Sequence, residues 1–229
     1  MKVGIIVFPG SNCDRDMQWI TQGIFGQPTR MIWHEDPDLG DVDLVIVPGG
    51  FSYGDYLRCG AIARFSPAMT ATVAHAKAGG LVLGVCNGFQ ILTEVGLLPG
   101  ALVRNRGLHF ICDRSPLTID RHDTPWTRGY APTTSSITLP IAHGEGCYYA
   151  DDDTLKNLED HGQILFRYGQ NPNGSARNIA GICNPTGTVL GMMPHPERAA
   201  DPALGAVDGL GLFAGLFGIS LDTIQPVAA

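Results

Sequence analysis

The stretch from Leu81 to Gly96 constrains the fold of this chain more than any other. A short apolar run ends at Gly84, and after Gly88 apolar side chains recur three residues apart, as on one face of a helix. This pattern predicts a buried strand, a sharp turn and a helix. The glycines of the turn permit a strained backbone that lifts Cys86 clear of the sheet. We therefore expect the chemistry to centre on Cys86.

A cysteine in this turn lies at the N-terminus of the following helix. Unpaired backbone N–H groups and the helix dipole favour negative charge there, and hence the thiolate form. The N–H of Asn87 can donate to an oxyanion that forms on a carbonyl under attack. The alternative for Cys86 is a structural role, because an unpaired cysteine often packs as a small apolar side chain.

Length and composition exclude several classes of protein. The chain has 229 residues without repeats or a linker, which favours a single domain over residues 1–229. A net charge of −7 with 15 scattered basic residues gives no basic surface for nucleic acid. The first apolar run is too short for a signal peptide, and no stretch approaches the roughly 20 apolar residues of a membrane span. We expect a cytoplasmic protein with no nucleic acid and no membrane as partner.

The six cysteines are far apart in the sequence. They form no C-x-x-C pair of the kind that binds zinc and no dense framework of the kind that forms disulfides. We therefore expect reduced thiols and no metal site, with one thiol reactive.

The apolar segments predict an α/β fold. Buried strands at residues 2–8, 29–34 and 43–47 and the strand before Cys86 alternate with helices, which indicates a mostly parallel, doubly wound sheet of the flavodoxin-like kind. Residues 100–150 change to short Thr- and Ile-containing runs broken by Pro and Gly, which predicts a mixed or antiparallel extension. Residues 51–65 are expected to form a loop that runs into a helix. The runs Ile179–Cys183 and 189–193 are expected to pair as a hairpin.

A second candidate site follows the strand at 43–47. Ligands of parallel sheets collect at the carboxyl ends of the strands, where both Gly49-Gly50 and Cys86 fall. Adjacent glycines let backbone N–H groups approach a substrate, so Gly50 is a candidate for a second oxyanion donor. Pro48-Gly49-Gly50 is also a common turn sequence, and that interpretation stays open.

The candidate base is His195, with Glu197 as its partner. In an extended chain, side chains at i and i+2 project to the same side, so Glu197 can hold one ring nitrogen and direct the other towards a thiol. Pro196 stiffens the link. His143, in Ala-His-Gly-Glu-Gly, is the main competitor among the seven histidines. Buried histidines are often structural, but the position of His195 after a strand favours a triad of Cys86, His195 and Glu197.

These motifs resemble the signature of the class I, or triad, glutamine amidotransferases. That signature is a Gly-x-Cys-x-Gly-x-Gln elbow with a distant His-x-Glu, here residues 84–90 and 195–197. Within the class, the chain is most similar to the PurQ family of glutaminase subunits of phosphoribosylformylglycinamidine synthase. The stretches that carry this closer resemblance span nearly the whole chain and are Phe8 to Asp14, Pro48 to Arg58, Pro140 to Gly146 and Gly191 to Arg198.

Two regions depart from the family pattern. Thr118 to Ser135 carries extra polar and Pro residues, and Cys147 stands where a basic residue is expected after His-Gly-Glu-Gly. Neither belongs to the triad.

The resemblance implies a class I glutamine amidotransferase fold and hydrolysis of the glutamine side-chain amide. Cys86 attacks the amide to form a glutamyl thioester, His195 moves the protons and activates water, and Glu197 orients the imidazole. Gly50 and Asn87 line the oxyanion hole.

The resemblance further assigns Gln90 to substrate binding and implies no cofactor and no metal on this chain. ATP and Mg²⁺ are expected on a separate synthetase subunit, PurL, with a small third protein, PurS. The sequence agrees, because none of its three lysines follows a glycine, so no phosphate loop ends in Gly-Lys. The ammonia is expected to pass to the synthetase, which converts formylglycinamide ribonucleotide to the amidine in purine synthesis. The glutaminase is expected to be idle until it docks.

Three alternatives stay open. Another triad amidotransferase, such as the glutaminase component for anthranilate or guanylate synthesis, shares the elbow, although residues 51–58 and 143–146 favour PurQ. A cysteine hydrolase or chaperone on a similar sheet often has His directly after the nucleophile, where this chain has Asn87. A non-catalytic subunit that kept the fold is disfavoured by the intact Cys-His-Glu set.

Overall fold

The computed structural model of this chain describes residues 1–224. Nine strands of the described residues form one large sheet, and two short strands form a second. The strands are β1 (Val3–Val7), β2 (Thr29–Trp33), β3 (Leu44–Val47), β4 (Leu81–Val85), β5 (Ala101–Val103), β6 (Ile111–Ile119), β7 (Ser136–His143), β8 (Cys147–Tyr149), β9 (Ile164–Tyr168), β10 (Ile179–Cys183) and β11 (Val189–Met192). The α-helices are α1 (Asp14–Gln18), α2 (Pro67–Lys77), α3 (Asn87–Glu94), α4 (Asp152–Asp160) and α5 (Leu210–Phe217).

One half of the large sheet is parallel. Its strands lie in the order β2, β1, β3, β4, β11, with every neighbouring pair parallel. β3 and most of β1 and β4 are buried on both faces, as their continuous apolar sequences predict. The order of the first four strands is that of the flavodoxin-like doubly wound fold. The predicted fold class is therefore confirmed.

The other half of the large sheet is antiparallel. β10 pairs with β11 as the predicted hairpin, and β9, β6 and β7 follow outward in that order. The predicted extension from residues 100–150 is confirmed, and its main part is the long β6–β7 hairpin. The unusual segment Thr118 to Ser135 covers the end of β6 and the connection to β7. It inserts the fully buried Trp126, whose Nε1 donates to the carbonyl of Gly187 at 2.8 Å.

The segment at residues 51–65 differs from its sequence-based prediction. Residues 51–65 form only short 3₁₀ turns, at Ser52–Asp55 and Ala63–Phe65, so the predicted helix there is wrong. Tyr53, Asp55 and Leu57 all have positive φ, which a helix does not allow. The next helix, α2, begins only where the side chain of Ser66 accepts from the N–H of Met69.

The described residues share one large sheet and a continuous core. The assignment of residues 1–229 to a single domain stays a prediction, and residues 225–229 lie outside the described part. None of the helices described has the length and apolar character needed to span a bilayer.

Candidate active site

A pocket of about 170 Å³ opens at the carboxyl edge of the parallel strands. Four connections approach it, because the chain leaves β1, β3, β4 and β11 at this same edge. The pocket is lined by Asn12, Cys13, Gly50, Phe51, Cys86, Phe110, Ala142, His195 and Arg198. Three of the sequence-predicted residues, Gly50, Cys86 and His195, therefore face one cavity.

Cys86 occupies the strained turn that the sequence predicts. Its backbone has φ 52° and ψ −106°, and α3 begins at the next residue. A Cβ on Gly88 would lie 1.9 Å from the carbonyl oxygen of Val47, so the turn can pack against β3 only with glycine at this position. Cys86 is 6% exposed, and its Sγ, a weak donor, lies 3.6 Å from the carbonyl oxygen of Ala142. Strand, turn and helix thus fix the sulfur at the wall of the pocket.

Gly49 packs directly against the triad, and Gly50 packs against the loop at residues 10–12. A Cβ on Gly49 would meet Cε1 of His195 at 2.8 Å and Sγ of Cys13 at 3.0 Å. Gly50 has φ +151°, and a Cβ there would clash with the backbone of residues 10–12. Both positions therefore require glycine for space, and the second also for its backbone conformation.

His195 and Glu197 form a buried pair. Nδ1 of His195 lies 2.6 Å from Oε1 of Glu197, and both side chains are almost wholly enclosed. The expected extended geometry is wrong: Glu197 lies in the short 3₁₀ turn Pro196–Ala199, and only His195 itself is extended. The contact forms because the turn curls the carboxylate back towards the ring. With Nδ1 engaged, Nε2 is left without a hydrogen-bond partner among the described residues.

The charges around His195 favour its protonated form. Burial alone opposes the imidazolium, but the carboxylate of Glu197 and the thiol of Cys86 outweigh it, so the pKa of His195 lies well above its ordinary value. A ring that holds a proton readily beside a thiol is suited to accept the proton of that thiol.

Asn87 and Gln90 form a brace behind the turn rather than part of the pocket lining. The side chain of Asn87 accepts from the N–H of Ser52 at 3.1 Å and donates to Oε1 of Gln90 at 2.9 Å. Gln90 in turn donates to the carbonyl of Glu145 at 2.6 Å. The backbone N–H of Asn87 is the first of α3 and has no acceptor within the helix.

His143, the competing histidine, lies in a different environment. Its Nδ1 is 3.1 Å from Oδ1 of Asn105 and its Nε2 is 3.5 Å from Nδ2 of Asn173. Burial lowers the pKa of His143 to about 4, and the charge of His195 acts in the same direction. A neutral ring held between two amides is not placed to take a proton from Cys86.

Sequence reasoning assigned no role to two further residues of the pocket, Cys13 and Arg198. Sγ of Cys13 lies 3.8 Å from Nδ1 of His195 and accepts from Nη2 of Arg198 at 3.1 Å. Both residues fall within the stretches that carry the family resemblance, which was the only signal available. Their contact joins two loops 185 positions apart in sequence.

Cys13, His195 and Glu197 also place one potential metal ligand each within 4.8 Å of one another. The guanidinium of Arg198 already lies against this sulfur. Of these three groups, the sulfur of Cys13 is thus already engaged by a cation of the protein itself.

Comparison with known proteins agrees with the site. The family model described as CobB/CobQ-like glutamine amidotransferase domain matches residues 1–206. A relative from Synechococcus elongatus, named phosphoribosylformylglycinamidine synthase subunit PurQ, is 69% identical and covers 100% of both chains. A relative of the same name from Gloeobacter violaceus is 60% identical and covers 98% of this chain and 100% of its own.

Comparison with a solved structure also supports the family assignment. In the structure described as PurLQS from Thermotoga maritima, one chain has a TM-score of 0.86 at 40% identity, covering 95% of this chain and 97% of that chain. The present chain therefore belongs to the CobB/CobQ-like glutamine amidotransferase family, together with the PurQ subunits that it matches along its length.

Proposed function

We propose that this chain is the glutaminase subunit of phosphoribosylformylglycinamidine synthase. It hydrolyses the side-chain amide of glutamine to glutamate and ammonia and passes the ammonia to a synthetase. The observation that carries the proposal is the meeting of Cys86, on its strained turn, with the buried His195–Glu197 pair at one pocket. The family match and the 69% identity to a PurQ subunit support the choice of reaction.

The reaction proceeds through a thioester. Nε2 of His195 takes the proton of Cys86, and the thiolate adds to the amide carbon. His195 returns the proton to the nitrogen, the C–N bond breaks, and ammonia leaves the glutamyl thioester. The ring then takes a proton from water, whose oxygen adds to the same carbon, and the C–S bond breaks to release glutamate and restore the thiol.

Backbone N–H groups stabilise the charge that develops on the amide oxygen. We assign the oxyanion hole to the N–H of Asn87, the first residue of α3 after Cys86, and to the N–H of Gly50, which lines the pocket. Glu197 keeps the ring in the tautomer that presents Nε2 and stabilises the imidazolium. The side chain of Gln90, assigned by the resemblance to substrate binding, holds the wall behind the elbow through Asn87 and Glu145.

The ammonia is used on a partner. In water near neutral pH ammonia is mostly protonated and unreactive, so transfer within a complex preserves the nucleophile. The stacked rings of Phe51 and Phe110, 6.5 Å apart, both line the pocket and are half exposed, and Leu108, two residues before Phe110, is 80% exposed. Such surface suits a docked subunit. We assign ATP and Mg²⁺ to that subunit, PurL, and include PurS in the complex.

The free thiols support a proposal for the compartment. All six cysteines are free in the structure, and we propose the cytoplasm, where thiols stay reduced, as the location of the protein.

The test is glutamate release from glutamine by the purified chain, with and without the PurL and PurS proteins, ATP, Mg²⁺ and formylglycinamide ribonucleotide. We expect release in the full mixture and its loss, by at least about 10³-fold, in Cys86→Ala. Cys183→Ala is the matched control, since it removes a buried thiol that does not line the pocket.

Two results would contradict the proposal. Release that survives in Cys86→Ala would exclude Cys86 as nucleophile. A wild-type chain that stays inactive in the full mixture, but becomes active with a different ammonia-using synthetase, would assign it to another pathway.

A further inference from the structure

We propose that Cys13 is a positioning residue for His195: its thiol holds the guanidinium of Arg198 apart from Glu197, so that the carboxylate serves the histidine alone. This inference deepens the proposed function and rests on it, because it concerns the base of the same reaction.

Cys13 is fixed from its backbone outward. It is 2% exposed and immediately precedes α1, and its N–H donates to the carbonyl of Gly49 at 3.1 Å. Its Sγ lies 3.8 Å from Nδ1 of His195, on the side of the ring that faces Glu197. Burial is the main cause that raises the pKa of the Cys13 thiol, which keeps it neutral. The group beside the His–Glu pair is therefore a neutral sulfur and not a competing anion.

Arg198 is the nearest competitor for the carboxylate. It follows Glu197 directly on the turn Pro196–Ala199. Its Nη2 donates to Sγ of Cys13 at 3.1 Å, and its Nε donates to Oδ2 of Asp16 at 3.2 Å. The sulfur of Cys13 and the carboxylate of Asp16 thus hold two nitrogens of Arg198 on the side of α1.

The position of Arg198 matters because Glu197 has a free acceptor. Its second oxygen, Oε2, is buried and has no hydrogen-bond partner among the described residues. A guanidinium pairs strongly with a carboxylate, often through two hydrogen bonds. Without the sulfur, Nη2 of Arg198 loses its acceptor, and we expect the guanidinium to turn towards the carboxylate of Glu197, whose charge already acts on it.

The consequence falls on His195. A permanent cation on Glu197 neutralises the charge that stabilises the imidazolium, and so disfavours uptake of the thiol proton. The charged or titratable groups that face the ring or the carboxylate are Glu197, Cys86, Cys13, Arg198 and, more distantly, His143. Of these, only Arg198 is a permanent cation.

The test compares Cys13→Ala with Cys13→Ser, whose hydroxyl can still accept from Arg198. The readouts are kcat and KM for glutamine in the complex with the synthetase, and the NMR titration midpoint of the His195 Cε1–H in the isolated chain. For Cys13→Ala we expect kcat to fall about tenfold with KM within about twofold, and the midpoint to fall by about one pH unit. For Cys13→Ser we expect kcat and the titration midpoint to stay close to their wild-type values.

A second substitution separates positioning from a mere cavity. In the Cys13→Ala background, Arg198→Gln removes the cation and should return the midpoint to within a few tenths of that of Arg198→Gln alone. A midpoint that is unchanged in Cys13→Ala, or lowered equally with and without Arg198, overturns the inference. If the wild-type complex releases no glutamate, the proposed function fails, while the midpoints still decide the placement of Arg198.

Discussion

Two buried histidines lie near the pocket, and their neighbours shift their pKa values in opposite directions. His195, on the turn after β11, has Glu197 at 2.6 Å, whereas His143, at the end of β7, lies between the amides of Asn105 and Asn173. Both are about equally enclosed, at 2% and 3% exposure. The pKa of His195 is raised well above its ordinary value, and that of His143 is lowered to about 4.

The difference shows that burial does not identify a base. Burial acts against the charged form of both rings, and at His195 the carboxylate of Glu197, together with the sulfurs of Cys86 and Cys13, outweighs it. His195 is therefore suited to gain a proton in the reaction, while His143 is kept neutral and ties the β7 end to the loop at residue 173. The proton at one ring also lowers the pKa of the other, so the two environments reinforce the contrast.

The largest effect expected from this contrast is on the rate. His195→Asn should lower kcat for glutamate release in the complex by about 10³- to 10⁴-fold, because the thiol loses its base. His143→Asn should lower it by no more than about tenfold, through packing around the pocket alone. The two variants are assayed side by side at saturating glutamine near pH 8.

Thermal unfolding of both variants serves as the control, since a loss of fold would lower both rates. Equal losses of activity in two folded variants would contradict the assignment of His195 alone as the base, and His143 would again be a candidate.

A smaller effect is expected when His195 keeps its ring but loses its carboxylate. Glu197→Gln should lower kcat by about 10²-fold, because the imidazolium that forms during attack is no longer stabilised. The NMR titration midpoint of His195 should fall, since burial then acts unopposed by this charge. Asn105→Gln, which enlarges the amide beside His143, is the matched control and should leave that midpoint in place. A midpoint unchanged in Glu197→Gln would show that another group raises the pKa of His195.

The sequence predicts those parts of the site that are formed by residues close together in the chain. The nucleophile lies in a local unit, where the apolar strand, the turn glycines and the spacing of α3 are all visible within residues 81–96. The parallel half of the sheet also follows from local signals, because apolar strands that alternate with helices form parallel sheets. The pairing of His195 with Glu197 was visible for the same reason, since the two residues are neighbours in sequence.

The rest depends on contacts between distant segments. Cys13 meets His195 across 182 positions, and nothing in the spacing of either residue indicates that contact. The spacing of His195 and Glu197 predicts extended chain, whereas Glu197 lies on a 3₁₀ turn, because Pro196 is compatible with both. For residues 51–65 the sequence predicts a loop that runs into a helix, and the positive φ values at residues 53, 55 and 57 exclude a helix over that part of the segment. In each case packing against a neighbouring loop decided the local conformation.

The smallest expected effect is on stability, and here the two histidines should act in opposite directions. Unfolded His143 takes up a proton near pH 6.5, whereas in the folded protein it does so only near pH 4. As pH falls through this window the unfolded state binds more protons, so folding loses free energy, by about 2 kcal/mol at pH 5. His195, with a raised pKa, instead contributes stability that is full below pH 6.5 and is lost as pH rises through its folded value.

Urea unfolding at pH 5 and pH 7.5 measures the difference. In His143→Asn, the loss of unfolding free energy between pH 7.5 and pH 5 should be about 2 kcal/mol smaller than in the wild type. His161→Asn, at an exposed histidine just after α4, is the control and should follow the wild type. The same loss in wild type and His143→Asn would mean that His143 is protonated in the folded protein. The contrast with His195 would then lie in hydrogen bonding and not in charge.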